Sequence, residues 1–123
     1  MAGALDGAGK AKVDTLVAAG EILQRVHAMT ERYALAVKQQ QNSAIYPMQI
    51  RRALEPMVGM LKAQFGLVSD QVTQLVLASS RGGSEQTRVR TLREGVAQLR
   101  TALELAERKV REQHMKDVQL APE

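Results

Sequence analysis

Apolar and small residues recur along this chain in alternating steps of three and four, the spacing that places them on one side of an α-helix. The first such run is Leu16, Ala19, Leu23, Val26, Thr30, Tyr33 and Val37, widened by Ile22, Met29 and Ala36. It fades in the polar stretch Gln39-Gln40-Gln41-Asn42-Ser43, which reads as a connection. A second run, Val58, Leu61, Phe65, Val68, Val72, Leu75 and Ser79, follows two prolines, Pro47 and Pro56. The first turn of a helix has N–H groups without partners, so Pro47 can open a segment, whereas Pro56 predicts a short lead-in helix with a break or bend at Glu55-Pro56. Ser79-Ser80-Arg81-Gly82-Gly83-Ser84 is the sharpest boundary, because paired glycines end a helix readily and Ser84 can cap the next one. The third run, Val89, Leu92, Val96, Leu99, Leu103, Ala106 and Val110, is the most regular. Along it Glu104 with Arg108, Glu107 with Arg111 and Glu112 with Lys116 set acid four residues before base, the favourable order on a helix.

These patterns predict an all-α fold: an elongated antiparallel bundle of three long helices with coiled-coil-like packing, and a short extra helix or kink near Pro56. Helices of about 25 to 35 residues would make a body roughly 40 to 50 Å long. The longest is expected to be the third, from about Glu85 to near Lys116. Residues 1–10, rich in glycine and without an apolar face, are expected to form a flexible lead-in, residues 11–118 a single domain, and residues 119–123 a flexible tail. No internal repeat at fixed period suggests a solenoid.

Composition supports the helical reading. Aromatic residues make up 2% of the chain, while Ala, Leu, Gln, Glu and Arg recur, and sheets depend far more than helices on aromatic and β-branched side chains. At 123 residues one domain is the expected number. The absence of cysteine excludes a disulfide framework and a thiolate metal site. The first residues lack the apolar core of a secretory signal, and no run approaches the roughly 18 apolar residues needed to cross a bilayer, so a cytoplasmic protein without membrane insertion is expected.

Residues that carry chemistry are sparse. His27 and Glu31 stand four apart, a spacing compatible with a metal but supplying only two ligands, and a surface polar pair is the simpler reading. His114, near the end of the chain, reads as solvated. No Glu-x-x-His pair of the di-iron type and no Gly-x-Ser-x-Gly elbow occurs. The glycines at 7, 9, 82 and 83 neither follow a strand nor lead into Gly-Lys-Ser/Thr, so a phosphate loop is not indicated. No catalytic, cofactor-binding or metal-binding residue is nominated.

Two features point instead to binding. Net charge is +4 with pI near 9.8, and Arg81, Arg88, Arg90, Arg93 and Arg100 gather around the first half of the third helix, where only Glu85 and Glu94 oppose them. An ordinary solvated basic face explains them most simply; an acidic protein partner or nucleic acid are the functional alternatives, although no aromatic residue lies among them for base stacking. The second feature is an apolar surplus on the second helix. Met60, Leu67, Val76 and Leu77 fall off its main seam, and Gly59, Ala63 and Gly66 form a strip of small residues where another backbone could approach. Either this helix is the centre of its own bundle, or Gly59, Ala63, Gly66, Leu67 and Leu77 form a self-association surface. Met48, Met57 and Met60 cluster around Pro56, as core filler or as an adaptable docking surface.

A small chain of long amphipathic helices without catalytic motifs resembles, in architecture, helical secretion or flagellar export chaperones and small bacterial scaffold proteins. The expected function is a non-enzymatic adaptor, scaffold or chaperone-like protein that forms a homodimer or higher oligomer and presents its other helices to a protein partner. The alternative is a small basic nucleic-acid-associated protein using the arginines of the third helix.

Overall fold

The computed structural model describes residues 5–119, with side chains as far as His114. Four helices account for nearly all of it: α1 (Gly7–Lys38), α2 (Ile45–Lys62), α3 (Gly66–Ser80) and α4 (Glu85–Gln119), with no strand among the described residues. The expected count of three is therefore corrected to four, and the physical reason lies at Phe65. There the backbone leaves helical dihedrals (φ −134°, ψ 58°). Phe65 N–H donates to the Leu61 carbonyl and closes α2, while Ser69 N–H donates to the Phe65 carbonyl and opens α3. The chain then doubles back, and the Ser69 hydroxyl donates to the Val58 carbonyl at 2.9 Å, fastening α3 to α2.

Pro56 does not produce a break at Glu55-Pro56; α2 is a single helix through it. Arg52, whose carbonyl loses its donor to the proline, and Pro56 itself both lie on the exposed face, where water can replace the missing bond. Pro47 sits in the first turn of α2, as its chemistry requires.

α1 begins at Gly7, inside the stretch expected to be a lead-in. Asp6 is the cause: its carboxylate accepts from Gly9 N–H at 2.6 Å and satisfies one of the unpaired donors of the first turn. Residues 1–4 of that lead-in, and residues 120–123 of the expected tail, lie outside the described residues. The end of α1 is closed by Gln40 with φ +56°: its N–H reaches the Val37 carbonyl, and Gln41 N–H reaches back to the Ala36 carbonyl. That pair of bonds is the Schellman arrangement, built here without a glycine. α4, the longest helix, starts as expected at Ser84, whose hydroxyl accepts from Thr87 N–H at 3.1 Å.

α1 packs on α2 and α4, and α3 packs on the same two helices. α1 and α4 run in opposite directions and keep step, since Asp6 meets His114, Glu31 meets Arg93 and Tyr33 meets Arg88. Between the helices lies one apolar core. Val26 and Tyr33 from α1, Ile50, Leu54, Met57 and Leu61 from α2, Val72 from α3, and Leu92 from α4 are all completely buried. The first and third sequence seams reappear in it almost unchanged. In the second, Leu61, Val72, Leu75 and Ser79 are buried, but the seam belongs to two helices, and α2 adds Ile50 and Leu54 from the segment read as a lead-in and Met57 just beyond Pro56.

Two packing details fix neighbouring helices closely. A Cβ at Gly95 of α4 would overlap the Leu75 Cδ1 methyl of α3, and one at Gly9 would fall 2.7 Å from His114 Cβ. At the other end the Tyr33 and Tyr46 rings stack with centroids 6.0 Å apart, and the Ser43 hydroxyl donates to Glu85 Oε1 at 2.7 Å, tying the first connection to the start of α4. Among the described residues no helix is long and apolar enough to cross a membrane.

Candidate interaction surface

The five small and apolar residues singled out on the second seam are divided by the turn. Gly59 and Ala63 stay with α2 and its end, whereas Gly66 and Leu67 begin α3, so the strip of small residues is not one face of one helix. Gly59, Ala63 and Gly66 are all exposed, and nothing lies within 4 Å of a Cβ built on Gly59 or Gly66. Within the chain the close approaches fall at Gly95 and Gly9 instead. Leu67 and Leu77 do share a helix, α3, and both face outward: Leu67 is 82% exposed and Leu77 50%. Of the three methionines near Pro56, Met57 is core, while Met48 and Met60 are exposed.

The five arginines do not form one patch. Arg88 turns inward: Nη1 donates to the hydroxyl of buried Tyr33 at 3.1 Å, and Nε and Nη2 donate to the Arg81 carbonyl at 3.2 and 2.7 Å. Its guanidinium thus satisfies a buried phenol and closes the α3–α4 connection, a structural use of the planar fork. Arg93 forms a two-pronged pair with Glu31 of α1, at 2.9 and 2.7 Å. The hydrogen bond from Arg93 holds the Glu31 carboxyl below the usual carboxylate range, and the same bond raises the Arg93 guanidinium above its ordinary value. Arg81, Arg90 and Arg100 keep exposed side chains without an ion pair, and Arg100 lines a groove between α1 and α4 together with Glu104 and Glu107.

His114 is a correction to its reading as solvated. Its Nδ1 lies 3.0 Å from both Asp6 oxygens and its Nε2 3.4 Å from Lys12 Nζ, with the side chain only 17% exposed. The ring donates from Nδ1 to the carboxylate and accepts from the lysine, joining the end of α4 to the start of α1. That hydrogen bond, with a smaller one from Gly9 N–H, lowers the Asp6 carboxyl below its ordinary value. His27 is exposed, and the carboxylate of Glu31 is engaged by Arg93. No group of three or more metal-ligating side chains gathers among the described residues.

An apolar concavity lies between the start of α3 and the second half of α4. Phe65, Leu67 and Val68 form one wall, and Ala102, Leu105 and Ala106 form the floor and the opposite wall. Leu105 is 46% exposed. Lys12 and Lys109 stand on its rim with Gln64, Gln71 and Gln113, and no acidic residue lines it among the described residues. Sequence reasoning named Leu67 but missed Leu105 and the two lysines. The available signal was that Leu105, like Leu67, falls off the seam of its helix. The class defined by these observations is an all-helical protein whose distinctive exposed chemistry is apolar. Compared with known protein families, with curated proteins and with solved structures, the chain matches none.

Proposed function

We propose that the chain is a non-enzymatic adaptor or scaffold that acts through protein–protein contact and self-association. In this reading its helices form an elongated antiparallel bundle with coiled-coil-like seams, and the outer face of α3 meets a second copy. The observation that carries it is the exposure of Leu67 and Leu77 on a helix whose core contacts are already made by Val72, Leu75 and Ala78. Fully burying a leucine contributes about 1.5 to 3 kcal/mol, and a symmetric dimer, the commonest oligomer, would cover both with the same patch from its partner. Nucleic-acid binding gains no support, since two of the five arginines offered for it are engaged within the chain.

The test is light scattering coupled to size exclusion. A dimer or higher oligomer is expected, and Leu67→Lys or Leu77→Lys should shift it toward monomer while circular dichroism stays helical, because both side chains already face outward. A parent protein monomeric at high micromolar concentration would sink the reading.

A further inference from the structure

We propose that the groove between the start of α3 and the second half of α4 receives an amphipathic helix of a partner protein, with carboxylates flanking that helix's apolar stripe. The proposal rests on the adaptor reading above and names the chemistry of what is adapted.

Three observations select this occupant. The first is shape. α3 starts at Gly66, whereas α4 continues to Gln119, so beyond Phe65 the side of α4 that α3 covers elsewhere has no helix upon it among the described residues. The lining of α4 runs from Ala102 to Gln113, about 16 Å along the axis, or three turns of a helix laid alongside. The second is the floor. Ala102 and Ala106 are small and one turn apart, so a second helix can settle at close axial distance with its own large side chains falling beside Leu67, Leu105 and Phe65. Val110, buried to 4% exposure, closes the far end with apolar surface.

The third observation is charge. Lys12 on α1 and Lys109 on α4 are the charged residues lining the groove among the described residues. α3 adds to them: its first turn carries no acidic residue, and Phe65 gives it no side-chain cap, so its positive end is not neutralised locally. A second copy docking by its own identical groove would bring two positively charged rims together with no carboxylate among the described lining residues to pair them. An apolar stripe flanked by Glu or Asp suits both the floor and the rim, and electrostatic complementarity of this kind selects partners more than it raises affinity.

The probe is a designed peptide of about 18 residues with leucines at helical spacing flanked by glutamates. Its controls are the same peptide with lysines in place of the glutamates and a scrambled sequence. Binding to the full chain is read by fluorescence anisotropy at two salt concentrations. The acidic peptide should bind at least ten-fold more tightly than the basic one, and the preference should shrink as salt rises. Lys109→Glu, at an exposed position, should remove most of that preference, and combining it with Lys12→Glu should reverse it. Leu105→Asp should abolish binding of both peptides with the helical signal intact, and Val17→Asp, at another exposed apolar position away from the groove, should leave it unchanged.

Leu67 belongs to both surfaces and Leu77 to the outer face of α3 alone, so Leu77→Lys, not Leu67→Lys, separates this proposal from the self-association reading. If the parent proves monomeric, or if Leu77→Lys makes it so, acidic peptide binding should persist, so either idea can fail alone. Equal binding of the acidic and basic peptides would overturn the proposal, as would no binding at several hundred micromolar. A loss of self-association in Leu105→Asp or Lys109→Glu, with no peptide bound by the resulting monomer, would assign the groove to a second copy and overturn it as well.

Discussion

Gly95 should respond to a methyl group in the opposite sense from other helical glycines, and the structure says by how much. Replacing a solvent-facing glycine inside a helix with alanine stabilises by about 0.5 to 1 kcal/mol, because the unfolded chain loses freedom and the helix gains a better former. Gly20 in α1 and Gly59 in α2 meet that condition, with nothing within 4 Å of an added Cβ, so Gly20→Ala and Gly59→Ala should each gain that amount. At Gly95 the same gain is opposed. The new methyl would overlap Leu75 Cδ1, and Leu75 is itself 4% exposed and held between α3 and the core, so it has little room to turn. Overpacking of this kind costs roughly 1 to 3 kcal/mol. Gly95→Ala should therefore lose about 1 kcal/mol net, a fall in Tm of roughly 4 °C for a domain of this size. Urea unfolding followed by circular dichroism measures all three variants. The decisive background is Leu75→Ala, which costs about 2 to 5 kcal/mol alone but empties the space above Gly95. There Gly95→Ala should turn stabilising, by about the amount seen at Gly20. Equal effects of Gly95→Ala in both backgrounds, or stabilisation of the parent, would refute the claim that α3 and α4 are fitted together at this glycine.

Gln40→Gly should stabilise by about 0.5 to 1 kcal/mol, since Gln40 holds a positive φ that costs an L-residue more than glycine; chemical denaturation will show no gain if the end of α1 is not built this way. Arg90→Glu should leave the melting temperature unchanged, whereas Arg88→Glu should lower it by several degrees, because Arg88 satisfies the Tyr33 hydroxyl and the Arg81 carbonyl; equal melting temperatures would mean that Arg88 is as free as Arg90. Acid should weaken the pairing of α1 with α4. Asp6 and Glu31 are held below their ordinary values, so they bind protons less readily folded than unfolded; their contribution is complete above the ordinary carboxylate range and is lost as pH falls from about 4.5 through the lowered values. Asp6→Asn with Glu31→Gln should flatten the melting temperature between about pH 5 and pH 2 relative to the parent, and an unchanged slope would count against both contacts.

Helix existence was legible in the sequence because it depends on period, and period survives in the apolar residues alone. The seams of α1 and α4 pass from sequence to core with only Val37, Met29 and Ala106 less than fully buried. What period cannot register is a turn whose length preserves the step. Leu61, Phe65 and Val68 are spaced four and three whether the helix continues or reverses, and the chain reverses there without a proline or a glycine pair to mark it. Pro56, the loudest local signal, was silent in the structure because its missing hydrogen bond falls on the wet side of α2. Gln40 shows the converse, a helix end closed in the manner usual for glycine by a residue that carries no such signal. At Asp6 the signal was present: an acidic residue before a helix is a capping residue, and the surrounding glycines obscured it.

The candidate surface divides along a similar line. Exposure is the complement of the seam, so Leu67 and Leu77 could be found by subtraction from one helix, and they do face outward. A groove belongs to two helices, and its second wall at Leu105 and its lysines at 12 and 109 are separated from Leu67 by 38 to 55 positions along the chain. Only the register of α4 against α3 and α1 joins them. The arginines show the same dependence in reverse: a run of positive charge on one helix is read as a surface until the partners supplied by other elements are known. Glu31 and Tyr33 lie two residues apart on α1, and they engage Arg93 and Arg88 of α4. Charge that looks free on one helix is thus partly spent holding the two longest helices in register, at Arg88 and Arg93, while Arg81, Arg90 and Arg100 stay exposed.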